Sequence, residues 1–118
     1  MAGDIVHYEI SASDVDRAKG FWEGVFGWSF GSSVMPEGDY RMAQITDHSG
    51  AALSSYGEPG HPVVYLDTPD IEASIAKVRE LGGEADDKQP VPTHGWFAAC
   101  KDTEGNSFSL WQTDPSAG

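Results

Sequence analysis

At 118 residues, with 39% hydrophobic residues, four Trp, five Phe and four Tyr, the chain has material for a single compact domain with a real core. A net charge of −12 and a pI near 4.4 leave no basic stripe to displace counterions, which excludes nucleic acid and anionic membrane surfaces as partners. There is no apolar run long enough to span a bilayer, and Met1-Ala2-Gly3-Asp4 lacks the basic and apolar regions of a signal peptide, so a cytoplasmic protein is expected.

In Ile5-Val6-His7-Tyr8-Glu9-Ile10-Ser11, apolar and polar residues alternate as on a strand, which sends His7, Glu9 and Ser11 to one side and Val6, Tyr8 and Ile10 to the other. Ser13-Asp14-Val15-Asp16 then offers an N-cap and acids for a first helical turn. Ala18, Trp22, Val25 and Phe26 follow at helical spacing, and Gly27 stops the helix. Trp22 and Trp28 read as core at this helix and its exit. Three strands are predicted next: Trp28 to Ser32, Tyr40 to Thr46 after the Pro36-Glu37-Gly38-Asp39 turn, and Ala51 to Ser55 after the turn at Asp47 to Gly50. Tyr56-Gly57-Glu58-Pro59-Gly60 is a connector.

The pattern then starts again. A strand from Val63 to Asp67 precedes a helix from Asp70 to Leu81 whose buried stripe is Ile71, Ile75, Val78 and Leu81, ended by Gly82-Gly83. Strands are expected near Glu84 to Lys88, Trp96 to Lys101 and Ser107 to Gln112, with a frayed tail at Pro115 to Gly118. Asp47-His48-Ser49-Gly50-Ala51-Ala52-Leu53-Ser54 is echoed by Asp102-Thr103-Glu104-Gly105-Asn106-Ser107-Phe108-Ser109. Two copies of one βαβββ unit, about residues 4–56 and 62–113, thus make up one domain of 1–118. The expected fold is α+β, a cup-shaped mixed sheet with the helices on its outer face.

Residues lining the cup decide function. His7 and Glu9 lie about 7 Å apart along one strand face. Tyr65 holds the matching place in the second module, joined by Ser107, Ser109 and Trp111 on the last strand. The parity of the preceding strand leaves open whether Phe97 or Trp96 faces inward. Aromatic and hydroxyl walls around one imidazole and one carboxylate describe a small-molecule pocket. A carboxylate in an apolar cup can move a proton, so Glu9 and His7 are the candidate acid and base. Equally, the two side chains can satisfy each other or their neighbours within the fold. Trp111 is placed to stack on a planar or cationic ligand. Cys100, the only cysteine, permits no internal disulfide or thiolate cluster and reads as an inert buried thiol.

His7-Tyr8-Glu9-Ile10 with Asp14, the run Phe21 to Trp28, and Gly95-Trp96-Phe97 through Lys101-Asp102-Thr103-Glu104-Gly105-Asn106-Ser107-Phe108-Ser109-Leu110-Trp111-Gln112 resemble the vicinal oxygen chelate superfamily. That superfamily includes glyoxalase I, extradiol dioxygenases, fosfomycin resistance enzymes and bleomycin resistance proteins. The resemblance covers residues 4 to 113 and implies paired βαβββ modules, a homodimer and a cup-shaped site. In the metal enzymes resembled, ligands come from the first strand, the strand opening the second module and the last strand. Those positions fall here on His7, Val63 and Ser109, and only His7 can ligate. A catalytic divalent ion needs about three or four N or O protein ligands, so no metal or other cofactor is expected, a divalent ion being disfavoured. His48, His61 and His94 lie in predicted loops without ligand spacing. The leading reading is a glyoxalase- or bleomycin-resistance-like protein that binds a small aromatic or cationic ligand as a homodimer. The alternatives are a lyase or isomerase of glyoxalase type using Glu9 and His7, with or without a divalent metal, and an accessory subunit with a vestigial cup.

Overall fold

The computed structural model describes residues 2–118. The elements run β1 (Ile5–Ser11), α1 (Val15–Phe26), β2 (Tyr40–Gln44), β3 (Gly50–Ser54), β4 (Val63–Asp67), α2 (Ile71–Glu80), β5 (Glu84–Ala85), β6 (Gln89–Val91), β7 (Gly95–Lys101) and β8 (Ser107–Thr113). The fold is α+β with mixed strand pairing, and it divides into two compact units: residues 6–63, and residues 64–118 together with the first five positions. No helix among the described residues is long and apolar enough to cross a membrane.

In the first unit the strand order is β2-β3-β1, with β1 parallel and β2 antiparallel to β3. Asp14 caps α1 by accepting from the Arg17 N–H at 3.0 Å, and Gly27 closes it in the left-handed region at φ 74°, donating to the Glu23 carbonyl. The helix covers one sheet face, where Val15, Phe30, Ala43, Ala51 and Leu53 are buried, with Tyr8, Ile10, Trp22 and Trp28 packed around them. Strand alternation leaves His7, Glu9, Tyr40, Met42 and Gln44 on the opposite, helix-free face.

The segment following Gly27 departs from expectation. Residues 28–32 form no strand. Instead, Glu23 reaches out of α1 and its Oε2 accepts from the Phe30 N–H at 2.9 Å, while Trp28 stacks on Trp22 with centroids 5.2 Å apart. Only the Gly31 and Val34 N–H groups reach β2, donating to the carbonyls of Met42 and Tyr40. The segment therefore lies where the expected strand would lie but without its ladder, its backbone donor having been captured by a helix side chain. Val25 and Phe26, which follow Ala18 and Trp22 at helical spacing, are 55% and 60% exposed.

The second unit has strand order β4-β8-β7-β5, with β6 also on β7. β4 and β8 are parallel; β7 pairs antiparallel with β8, β5 and β6. Asp70 caps α2 by accepting from the Ala73 N–H at 3.1 Å, and the Gln112 side chain of β8 accepts from the Ile71 N–H at 2.8 Å. The helix packs Ile71 and Ile75 on Ala98, Cys100 and Leu110. Cys100 is thus core, and burial pushes its thiol pKa up, away from thiolate reactivity.

Three boundaries differ here. The expected strand at 84–88 keeps only Glu84 and Ala85, since Arg79 draws the chain aside through the Ala85 carbonyl and the Asp87 carboxylate; β6 takes over at Gln89. Pro90 is tolerated in β6 because that strand pairs on one side only. Leu81 caps α2 and is 66% exposed, outside the buried stripe assigned to it. The tail is not frayed: Asp114 accepts from Trp96 Nε1 and from the Ser116 N–H, and Ala117 is buried with its carbonyl accepting from the Thr93 N–H.

Leu53 and Ile71 are fully buried, one in each core. Leu53→Ala and Ile71→Ala should each cost about 2–5 kcal/mol in urea denaturation, whereas Leu81→Ala should cost less than ~0.5 kcal/mol. A larger loss for Leu81→Ala than for either core variant would contradict this assignment of the cores.

Candidate functional site

On the helix-free face of the first unit, chemistry gathers around one hydroxyl. β3, between β1 and β2, presents only small residues to this face. His7 lies opposite Gly50 and Glu9 opposite Ala52, while Ser54 lies between Ser11 and Tyr40. A bulky middle strand would separate the side chains of the outer two; Gly50 and Ala52 leave a trough that the Tyr40 ring crosses. Its Oη donates to Glu9 Oε2 at 2.8 Å and lies 3.0 Å from His7 Nε2. Sequence reasoning named His7 and Glu9 and missed Tyr40, which is 33 and 31 residues away from them.

Tyr40 is held in place. Its N–H donates to Ser33 Oγ at 3.1 Å and its carbonyl accepts from the Val34 N–H. On the other face, Arg41 makes a two-point contact to Asp39 at 2.8 and 2.9 Å and pairs with Asp16 of α1 at 2.9 Å. This bidentate bond holds the Asp39 carboxyl below its ordinary range. β2 is thereby tied to the start of α1 immediately beside Tyr40.

His7 is shifted too. Burial lowers its pKa from the ordinary 6.5, and the Glu9 carboxylate opposes that shift without cancelling it. Burial thus disfavours the protonated imidazole beside the Tyr40 hydroxyl.

The remaining candidates lie in the second unit. Tyr65 is opposite Ser109 across β4 and β8, and Phe97 is opposite Trp111 across β7 and β8. The open parity on β7 resolves here, since Trp96 packs in the α2 core with Ala98 and Cys100 and Phe97 takes the helix-free face. Trp111 lies over Gly95, where an added Cβ would stand 2.7 Å from its ring, and its Nε1 donates to Thr113 Oγ1 at 3.0 Å. Gly95 is thus required for the ring's position. Ser107 is not gathered in. It is exposed, opposite Lys101 and about 13 Å along β8 from Trp111. Among the described residues, no three His, Cys, Asp or Glu side chains are grouped so as to hold a metal ion; His48, His61 and His94 are exposed.

The sequence model of the family described as "Glyoxalase-like domain" matches residues 7–111. A protein of Mycobacterium tuberculosis (strain CDC 1551 / Oshkosh), CFP32, provisionally named a glyoxylase, is 27% identical over 121 residues covering 93% of this chain and 46% of its own; its Mycobacterium bovis counterpart matches equally. The chain thus spans about half the length of these curated relatives. Among solved structures, a hypothetical protein of Bacillus halodurans superimposes with a TM-score of 0.73 at 15% identity, over 100% of this chain and 99% of that one. Methylmalonyl-CoA epimerase of Mycobacterium tuberculosis gives 0.69 at 14%, over 96% and 89%. A glyoxalase/bleomycin resistance protein/dioxygenase superfamily member from Vibrio splendidus gives 0.70 at 15%, over 93% and 98%. At such identities the structures establish a shared fold.

His7 sets a pH dependence whose sign is fixed. The unfolded chain takes up the His7 proton near 6.5 and the folded chain only at lower pH, so across that interval the unfolded state binds more protons and stability falls as pH drops. His7→Asn should therefore lose less stability than the wild type between about pH 7 and 5 in urea melts. Parallel stability–pH curves for the two proteins would contradict the shift.

Proposed function

The chain belongs to the glyoxalase-like domain family, and from that premise we propose that it is a small-molecule-binding protein of the glyoxalase and bleomycin-resistance kind whose recognition centre is Glu9, Tyr40 and His7. The carrying observation is the tyrosine hydroxyl bonded at 2.8 Å to Glu9 and 3.0 Å from His7. A purely structural strand face has no need of three convergent polar groups, whereas orienting a ligand does. In the second unit by itself, Phe97 and Trp111 are register partners on β7 and β8 and Tyr65 lies opposite Ser109; these aromatic side chains suit an aromatic ligand. Ser107 stands at the margin of that face.

We further infer that the protein works without the metal triad of its metal-dependent relatives. Val63 has no donor atom, Ser109 offers a hydroxyl where a carboxylate would be needed, and His7 Nε2 lies against Tyr40. Such a donor set does not fit a divalent ion that must outcompete water. The protein is proposed to act in the cytoplasm as a homodimer, with no nucleic acid or membrane partner. Its charge of −12 supports the latter, and the exposed Phe21, Val25 and Phe26 on α1 supply apolar surface for association.

A second reading is favoured by the continuity of the hydrogen bonds. An unbroken His7–Tyr40–Glu9 array can hold and shift a proton, as a lyase or isomerase of glyoxalase type requires.

Binding is tested by titrating a panel of aromatic and cationic small molecules while following tryptophan fluorescence and thermal stability. At least one compound should quench or stabilise, and Glu9→Gln should weaken it by about tenfold; silence across a chemically diverse panel would remove the binding reading. Elemental analysis of the purified protein should find no stoichiometric Zn, Ni, Fe or Mn, and one tightly held ion per chain would reverse the metal inference.

A further inference from the structure

The chain has only seven Lys and Arg side chains against a total charge of −12, yet two of them meet at one cavity. This open cavity of about 400 Å³ lies in the first unit, on the side of β2 that carries Arg41. It is lined by Lys19 of α1, by Phe30, Gly31, Ser32 and Ser33 of the segment after the helix, and by Arg41. The acids that pair with the two cations are not part of its wall. Glu23 takes Lys19 Nζ at 3.1 Å, Asp39 takes Nε and Nη2 of Arg41 at 2.8 and 2.9 Å, and Asp16 takes Nη1 at 2.9 Å. The polar wall is therefore an ammonium, a guanidinium and two serine hydroxyls, all of which can donate. Two of the acids are tied firmly: Glu23 also accepts from the Phe30 N–H at 2.9 Å, and Asp39 holds Arg41 at two points. Asp16 is different. It is 83% exposed and meets Arg41 at one nitrogen, the kind of surface pair that contributes little.

We infer that this cavity is a second binding site, for a small phosphate dianion, free or carried as a monoester, which displaces Asp16 from Arg41 and gains Lys19 as its second cation. The site is separate from the Glu9, Tyr40 and His7 centre and does not rest on the reading of that centre. The exchange favours phosphate for a chemical reason. Asp16 brings one carboxylate to one cation, whereas a phosphate seated in the cavity brings three oxygens to a guanidinium, an ammonium and serine hydroxyls together. Donors are left for it. Arg41 has five N–H groups, of which Asp39 and Asp16 engage one on each nitrogen, and the Lys19 ammonium has three, of which Glu23 engages one. A cationic ligand would face two like charges here. The cavity has the volume of a small-molecule site, and Phe30 and Gly31 supply wall for the carbon that a monoester carries.

Amide NMR of the intact protein tests this, with inorganic phosphate and methyl phosphate titrated slightly above neutral pH at an ionic strength held constant with chloride. Saturable shifts should centre on Gly31, Ser32, Ser33 and Arg41, and acetate should bind about fivefold or more weakly than either phosphate. The tighter of the two phosphates identifies the source, free anion or monoester. Lys19→Gln should weaken phosphate about tenfold, and Asp16→Asn, which removes the competing carboxylate, should tighten it about threefold or more. That gain in affinity is what a general attraction of anions to the surface would not single out. Shifts that fail to saturate with both phosphates, shifts centred elsewhere, or an Asp16→Asn affinity no tighter than wild type would overturn the inference. The Asp16 arm decides the matter whether or not Lys19→Gln, which leaves Glu23 without its cation, still folds.

Discussion

The tyrosine hydroxyl between Glu9 and His7 depends on a steric condition set by the strand that lies between β1 and β2. β3 carries Gly50, Ala52 and Ser54 on its helix-free side. Had this middle strand carried the β-branched residues that strands favour, Tyr40 on β2 and Glu9 on β1 would face each other over a ridge. Small side chains cost packing and strand propensity, and here they give the phenol a path. The same strand turns Ala51 and Leu53, both fully buried, toward α1. One short segment thus builds the core on one face and clears the site on the other.

The helices make this division possible. Each unit places one amphipathic helix on one sheet face, with Val15 and Phe30 in the first core and Ile71 and Ile75 in the second. The opposite faces are thereby left to polar and aromatic groups. Ties at the edges add precision. Arg41 joins Asp39 to Asp16 beside Tyr40, and Glu23 captures the Phe30 N–H. In the second unit Trp111 rests over Gly95 and donates to Thr113. Ties of this kind fix the hydrogen-bond geometry of these faces in advance, the condition the proposed binding role calls for.

Much of this was legible in the sequence, for identifiable reasons. Alternation in Ile5–Ser11 and Val63–Asp67 placed β1 and β4 and put His7 and Glu9 on one face, because a strand's period of two is a local property. Asp14 and Asp70 announced both helix starts through their capping chemistry. What escaped was non-local. The 28–32 stretch reads as a strand until Glu23, seven residues from Phe30, takes its N–H. Tyr40 belongs with Glu9 only through the registers of two strand pairs. A signal was present nonetheless: Tyr40, Met42 and Gln44 alternate with Arg41, Ala43 and Ile45, and the small residues at 50 and 52 mark a strand that side chains could cross. What distinguishes Phe97 from Trp96 is equally non-local: Trp96 packs in the α2 core with Asp114 accepting from its indole.

The central claim is that Glu9 and Tyr40 act as one hydrogen-bonded unit across that trough. A double-mutant cycle on stability, with Glu9→Gln, Tyr40→Phe and the pair, measures this most directly. The account predicts a coupling of about 1 kcal/mol or more between the two sites. Additivity to within ~0.3 kcal/mol, as for distant and independent residues, would contradict it.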